Sequence, residues 1–273
     1  MDFLRLIPSP LPIPTSILIF DKYDPMKAFY LILFFFSFCL SCSLETNESH
    51  TSFLYERHEL LMDYDARYEK NVKQAVIRYF KVLALGSEYG NQISLLKKWV
   101  DPMKVYVHGA ANEEILDELD LIINELNTLF LNDFYIEKAQ DSVHANFYIF
   151  LGSASEYAWK YSVDNDLLKS NYGLFSIAFN EDFHITNGHM YVDTDRAPLR
   201  IQQHLLREEL TQALGLNNDI DYYEESIFYG KPSNTISYSD LDIEAIRLLY
   251  NPSMISRIGS ERVQSICENL LGL

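Results

Sequence analysis

Residues 198–219 read P-L-R-I-Q-Q-H-L-L-R-E-E-L-T-Q-A-L-G-L-N-N-D, and their periodicity decides the fold. At about 100° per residue, Leu199, Leu206, Leu210, Ala213 and Leu214 gather on one broad face, which predicts a helix over 198–214 with that face in the core. Ile201 and Leu205 point the other way, so this helix has apolar contacts on two sides and sits centrally rather than on the surface. His204, Glu208 and Gln212, spaced by four, share the face of that second patch. Gly215 stands where a helix is expected to end.

The flanking sequence supplies a sheet and more helices. Residues 104–108 alternate as a strand, and Asn112, followed by Glu113 and Glu114, marks the start of a helix running to about Leu131. Its apolar positions Ile115, Leu119, Ile122, Leu126 and Leu129 form one face. Short apolar runs predict strands at 134–137, 146–151, 174–180 and 189–193, with a helix at 155–161. Upstream, Val72, Ala75, Val76, Phe80 and Leu83 set out a helix over 61–85. Downstream, Ser239 caps a helix from Asp240 to Tyr250 that Pro252 stops. The expected fold class is α+β, a twisted mixed sheet packed on helices around the central helix, with 61–273 as a single domain.

The stretch E-E-L-T-Q-A-L-G-L-N-N-D at 208–219, then E-S-I-F-Y at 225–229 and S-D-L-D-I-E-A-I-R-L-L-Y at 239–250, resembles the matrixin branch of the metzincin metallopeptidases. Those enzymes carry H-E-x-x-H-x-x-G-x-x-H on a helix, an S-I-M turn, and a helix of the form L-S-x-x-D-I-x-A-I-x-x-L-Y. The resemblance places Glu208, Gln212 and Asn218 at the three ligand positions, Glu209 at the general base, Gly215 at the turn and Phe228 at the turn methionine. It implies a zincin-like fold. The chain is also similar to a bacterial lipoprotein family of unknown function that carries the E-E-L-T-Q-x-L-G-L form.

All three histidines of the motif are replaced. One carboxylate and two neutral amides are weak donors beside the imidazole and thiolate that zinc prefers. Without a metal, water keeps a pKa near that of bulk, and Glu209 has no easily deprotonated nucleophile to work on. The expectation is therefore no cofactor and a non-catalytic cleft, with Glu208 and Gln212 bonded to each other or to nearby backbone. Such a cleft binds an extended peptide or protein segment by strand addition. The alternative is a divergent metal-dependent peptidase. It uses His204, Glu208, Gln212 and Asp219 as ligands for zinc or another divalent cation, with oxygen-rich donors favouring calcium or manganese.

Composition narrows the partners. With 39 acidic residues against 22 Lys and Arg, the formal net charge is −17, which excludes non-specific binding to nucleic acid. His184 and His189 flank T-N-G and read as a polar connection between strands; His108 and His144 read as surface residues beside strand ends. Cys267, within a helical pattern, reads as a small buried hydrophobe.

Residues 28–40 are uncharged and apolar, too short to span a bilayer and of signal-peptide length. They end in Leu40-Ser41-Cys42, which resembles a bacterial lipoprotein cleavage box, with Cys42 as the lipidated residue. The proline-rich residues 1–25 then precede the true start at Met26. Residues 26–41 are the signal peptide and 42–60 a polar tether. This reading puts the protein in the cell envelope, lipid-anchored to a membrane.

Overall fold

In the computed structural model, residues 67–86, 94–109 and 112–273 are described. The upstream extension 1–25, the signal peptide 26–41, the tether 42–60 and the lipidation site Cys42 lie outside them. Helix α1 covers 67–85, and its spacing buries Ile77, Tyr79, Phe80 and Leu83. Then follow β1 (Lys98–Trp99), β2 (Met103–Gly109), α2 (Glu113–Leu129), β3 (Ile136–Lys138) and β4 (Phe147–Gly152). Next come α3 (Ala154–Tyr161), α4 (Asn165–Leu168), β5 (Gly173–Phe179) and β6 (His184–Asp193). The chain closes with α5 (Leu199–Gln212), α6 (Asp240–Leu249) and α7 (Ser260–Leu271). None of the described helices is long and apolar enough to cross a membrane.

The strands form one sheet in the order β1-β6-β4-β2-β3, and every pair on that path is parallel. β5 pairs β6 antiparallel through residues 185–192 of β6, the same span that meets β1 and β4. It therefore occupies the opposite side of β6 and is an edge strand. The fold is accordingly a mixed α/β arrangement with a mostly parallel sheet, rather than the segregated layers that the α+β expectation implies. One face carries Val105, Phe147, Ile149, Met190 and Val192 into the main core. The other face packs Phe150 and Tyr191 against Tyr157 and Ala158 of α3.

The sequence signals for helix starts operate as their chemistry requires. Asn112 accepts the Ile115 N–H at 2.9 Å, and Ser239 accepts the Asp242 N–H at 3.3 Å. The helix expected over 198–214 spans Leu199–Gln212, because Ala213 and Leu214 belong to its closing turn. His184 and His189 are not a connection. Both lie inside β6, which the edge strand lengthens, and the reversal falls one step earlier, where Phe183 takes φ 63°. His108 lies within β2, half-buried, its ring stacked on Tyr148. Cys267 is fully buried, and burial pushes its thiol up to about 11.

Two buried polar groups hold the helices in place. Asp242, in the first turn of α6, is fully buried. It accepts from the Ser226 hydroxyl at 2.8 Å, the Ile227 N–H at 3.1 Å, the Ser239 N–H at 2.8 Å and the Tyr79 hydroxyl. Burial, reinforced by that carboxylate, drives Tyr79 far above the ordinary phenol range, so it remains a donor. Lys98 is 4% exposed and donates to the carbonyls of Leu249 at 2.6 Å and Met254 at 3.0 Å, capping the end of α6.

Removing the Asp242 carboxylate takes the acceptor from four donors, of which only the Tyr79 and Ser226 hydroxyls, 2.7 Å apart, can still bond each other. Asp242→Ala is expected to destabilise the fold by about 3 kcal/mol or more in urea titration. Burial lowers Lys98 to about 8, against about 10.4 for an unfolded lysine. The unfolded chain then binds the extra proton between those values, so the Lys98 contribution to stability rises with pH across that window. Urea titrations of the wild type and Lys98→Met at pH 7 and pH 10 check this; the difference is expected to shift toward the wild type by up to about 3 kcal/mol at the higher pH.

Candidate functional site

The second face of α5 floors a cleft of about 1310 Å³. Gly173 of β5 stands against Leu205 and Glu209 on one side of it. On the other, Gly230 stands against Asp219, so the 229–233 segment forms the far wall. The doubled apolar patch of the sequence thus has a structural cause: Leu206 and Leu210 fill the core, while Ile201 and Leu205 line the cleft.

Six of the sequence-derived site residues meet here, for His204, Glu208, Glu209, Gln212, Asn218 and Asp219 all line the cleft. Gly215 makes the return possible. It takes φ 123°, and a Cβ there would stand 2.2 Å from the Lys97 carbonyl oxygen. The chain then doubles back, with Ile220 N–H on the Phe228 carbonyl at 2.9 Å and Gly230 N–H on the Ile220 carbonyl at 2.8 Å. Phe228 itself is fully buried in the core and lines nothing.

The polar groups are bonded in a pattern different from the expected Glu208–Gln212 contact. His204 donates from Nδ1 to the Thr235 carbonyl at 2.7 Å, since a carbonyl only accepts. Its Nε2 lies 3.2 Å from Glu208 Oε2, which makes an ion pair when the ring is protonated. Burial lowers the His204 pKa, but the Glu208 hydrogen bond and charge outweigh it, and the net direction is up. Burial pushes Glu208 up as well, with Asp219 adding to it and His204 opposing. Gln212 donates to Asp219 at 2.6 Å. Asn218 donates to the Leu83 carbonyl at 2.8 Å, satisfying an orphan acceptor in the last turn of α1.

This donor set does not fit zinc. Glu208 is committed to His204, and the amide nitrogens of Gln212 and Asn218 are turned to Asp219 and Leu83, leaving neutral amide oxygens as their remaining donors. Among the described residues, no three His, Cys, Asp or Glu side chains converge closely enough to hold an ion.

Several cleft residues carry no motif and escape sequence reading. Lys97 lies 5.1 Å from the Phe179 ring centre at one rim, and Lys231 lies 5.6 Å from that of Tyr229 at another. Gly173 brings β5 close against α5: a Cβ there would stand 2.5 Å from Glu209 Oε1. The run G-L-F-S-I-A-F at 173–179 does hold a legible signal, since it is a strand without a single charge.

The chain belongs to the family described as "Protein of unknown function (DUF2927)", whose pattern matches residues 73–269. No curated protein matches it. Among solved structures it is similar to High choriolytic enzyme 1, a hatching enzyme zinc-protease of the medaka fish Oryzias latipes. That match has 12% identity and a TM-score of 0.34, over 56% of this chain and 94% of that one.

Asn218 acts here as a cap. Asn218→Leu, which orphans the Leu83 carbonyl, is expected to lower stability by about 1–3 kcal/mol in urea titration, whether or not divalent cations are present.

Proposed function

We propose that this chain is a lipid-anchored cell-envelope protein whose matrixin-like domain holds an extended polypeptide segment in its cleft by strand addition to β5, without cleaving it. The observation that carries the reading is the edge of β5. In an antiparallel pair, alternate residues turn both backbone groups toward the partner. Asp193 N–H bonds the Tyr172 carbonyl at 2.8 Å, and the register runs on through Leu174↔Tyr191 and Ser176↔His189. Leu174, Ser176 and Ala178 therefore face β6, while Gly173, Phe175 and Ile177 turn N–H and C=O outward. Gly173 and Phe175 line the cleft.

An edge of this kind is ordinarily guarded by charge, proline or brevity. β3, at the opposite edge, has three residues and carries Glu137 and Lys138. β5 has seven residues with neither charge nor proline. Such an edge invites another strand, and main-chain bonds supply the affinity. Binding rather than hydrolysis follows from the donor set at 208, 212 and 218, which leaves Glu209 without an activated water.

Two measurements test this. Hydrogen exchange followed by NMR is expected to show the amides of Gly173, Phe175 and Ile177 exchanging faster than those of Leu174, Ser176 and Ala178. Selection from a phage-displayed library of random dodecapeptides is expected to enrich binders that slow the three outward amides. Phe175→Pro, which removes an outward N–H, should abolish that binding, whereas Phe175→Leu should keep it. Binders that leave the β5 amides untouched, or a library that yields none, would sink the reading. Cleavage of the selected peptides on adding zinc, lost in Glu209→Ala, would establish the metal-dependent alternative instead.

A further inference from the structure

The register of an added strand sorts its side chains. Residues directly opposite one another in neighbouring strands project to the same face. The residue paired with Gly173 therefore sends its side chain to the face on which a glycine Cβ would stand, the face of α5. There the built Cβ lies 2.5 Å from Glu209 Oε1 and 2.8 Å from Leu205 Cδ2. The absent side chain of Gly173 thus lends its space to the Glu209 carboxylate, which reaches the margin of the sheet beside the aliphatic Leu205. Opposite Phe175 and Ile177 the neighbours are apolar, since both side chains pack against the main core.

The footprint has ends. At one end, a register shift between Ala178, paired with Asn187, and Phe179, paired with Ile185, interrupts the regular ladder. At the other end the Arg196 guanidinium covers the Tyr172 ring at 4.6 Å.

Resting on the strand-addition reading, we infer that the cleft selects polypeptide segments with Lys or Arg opposite Gly173 and apolar residues two and four positions along, opposite Phe175 and Ile177. The aliphatic stem of the basic residue runs along Leu205 and its charged head meets Glu209. The motif is basic-x-apolar-x-apolar, read along β5 from Gly173 to Ile177.

Fluorescence anisotropy with labelled dodecapeptides tests it. One series carries Arg-x-Val-x-Val and a second the reversed order, which covers both chain directions; the basic position is Arg, Lys, citrulline, Ala or Glu. In one direction, Arg and Lys are expected to bind at least about tenfold tighter than Ala, Glu or the uncharged isostere citrulline. Glu209→Gln is expected to bring Arg level with citrulline while the Ala peptide still binds. The citrulline comparison uses the wild-type chain, so it stands even where the variant fails to fold. Peptides that protect the Gly173, Phe175 and Ile177 amides with no preference for a basic residue would overturn this inference and leave strand addition intact. Failure of every peptide, with those amides still exchanging freely, would overturn both.

Discussion

A fully buried carboxylate at the head of α6 sets the positions around the cleft. Asp242 gathers the Ser226 hydroxyl, two backbone N–H groups and the Tyr79 hydroxyl, and so ties α1, the 225–229 turn and α6 into one knot. Such a group is tolerated in an apolar core only when its acceptor sites are filled, and here four donors fill them. The consequence reaches the surface. With the turn fixed, Phe228 drops into the core and Tyr229 to Ser233 are thrown up as the far wall. The serine of the turn and the aspartate of the following helix belong to one hydrogen-bonded unit. That explains why those residue types occur together in the sequence.

The polar residues on the cleft floor form pairs of their own. His204 with Glu208 fastens α5 to the Thr235 carbonyl, and Gln212 with Asp219 fastens the end of α5 to the chain that returns after Gly215. Asn218 faces the other way and closes α1. Gln212 and Asn218 thus each bridge two parts of the chain, while Glu208 holds His204 on its own helix. A network whose members are all bonded holds a cleft in one shape, whereas apolar replacements would collapse into the space.

Features that depend on a single element were legible in the sequence. The helix at Leu199–Gln212, its two apolar sides, the Asn112 and Ser239 caps and the buried Cys267 all follow from local spacing and local bonds. So does the meeting of His204 with Glu208, one turn apart. What the sequence hides is pairing between distant elements. That Gln212 chooses Asp219, and Asn218 chooses a carbonyl 135 residues away, depends on how the chain folds back through Gly215. His184 and His189 mislead for a related reason, since T-N-G has turn composition but is held in β6 by the pairing of Asn187 with β5 and of Gly188 with both β4 and β5. Gly173 is the hardest to see. A glycine at the start of a strand looks like punctuation, and its role exists only because Glu209 arrives from another element.

That last contact bears on why the edge of β5 is left uncharged. The strand packs Phe175 and Ile177 against the main core, and Leu174 against the cluster around Tyr157. The core-facing side is therefore occupied by apolar packing, while Ser176 and Ala178 on the other face are exposed yet carry none of the charge that protects other edges. Protection has to come from shape instead. The edge lies in a recess bounded by α5 and the 229–233 wall, where a broad partner such as a folded sheet meets steric opposition and a single extended strand does not. On the proposed reading, a charge placed on α5 rather than on β5 discriminates among strands without weakening the edge. Glu209 stands at that place only because position 173 has no side chain.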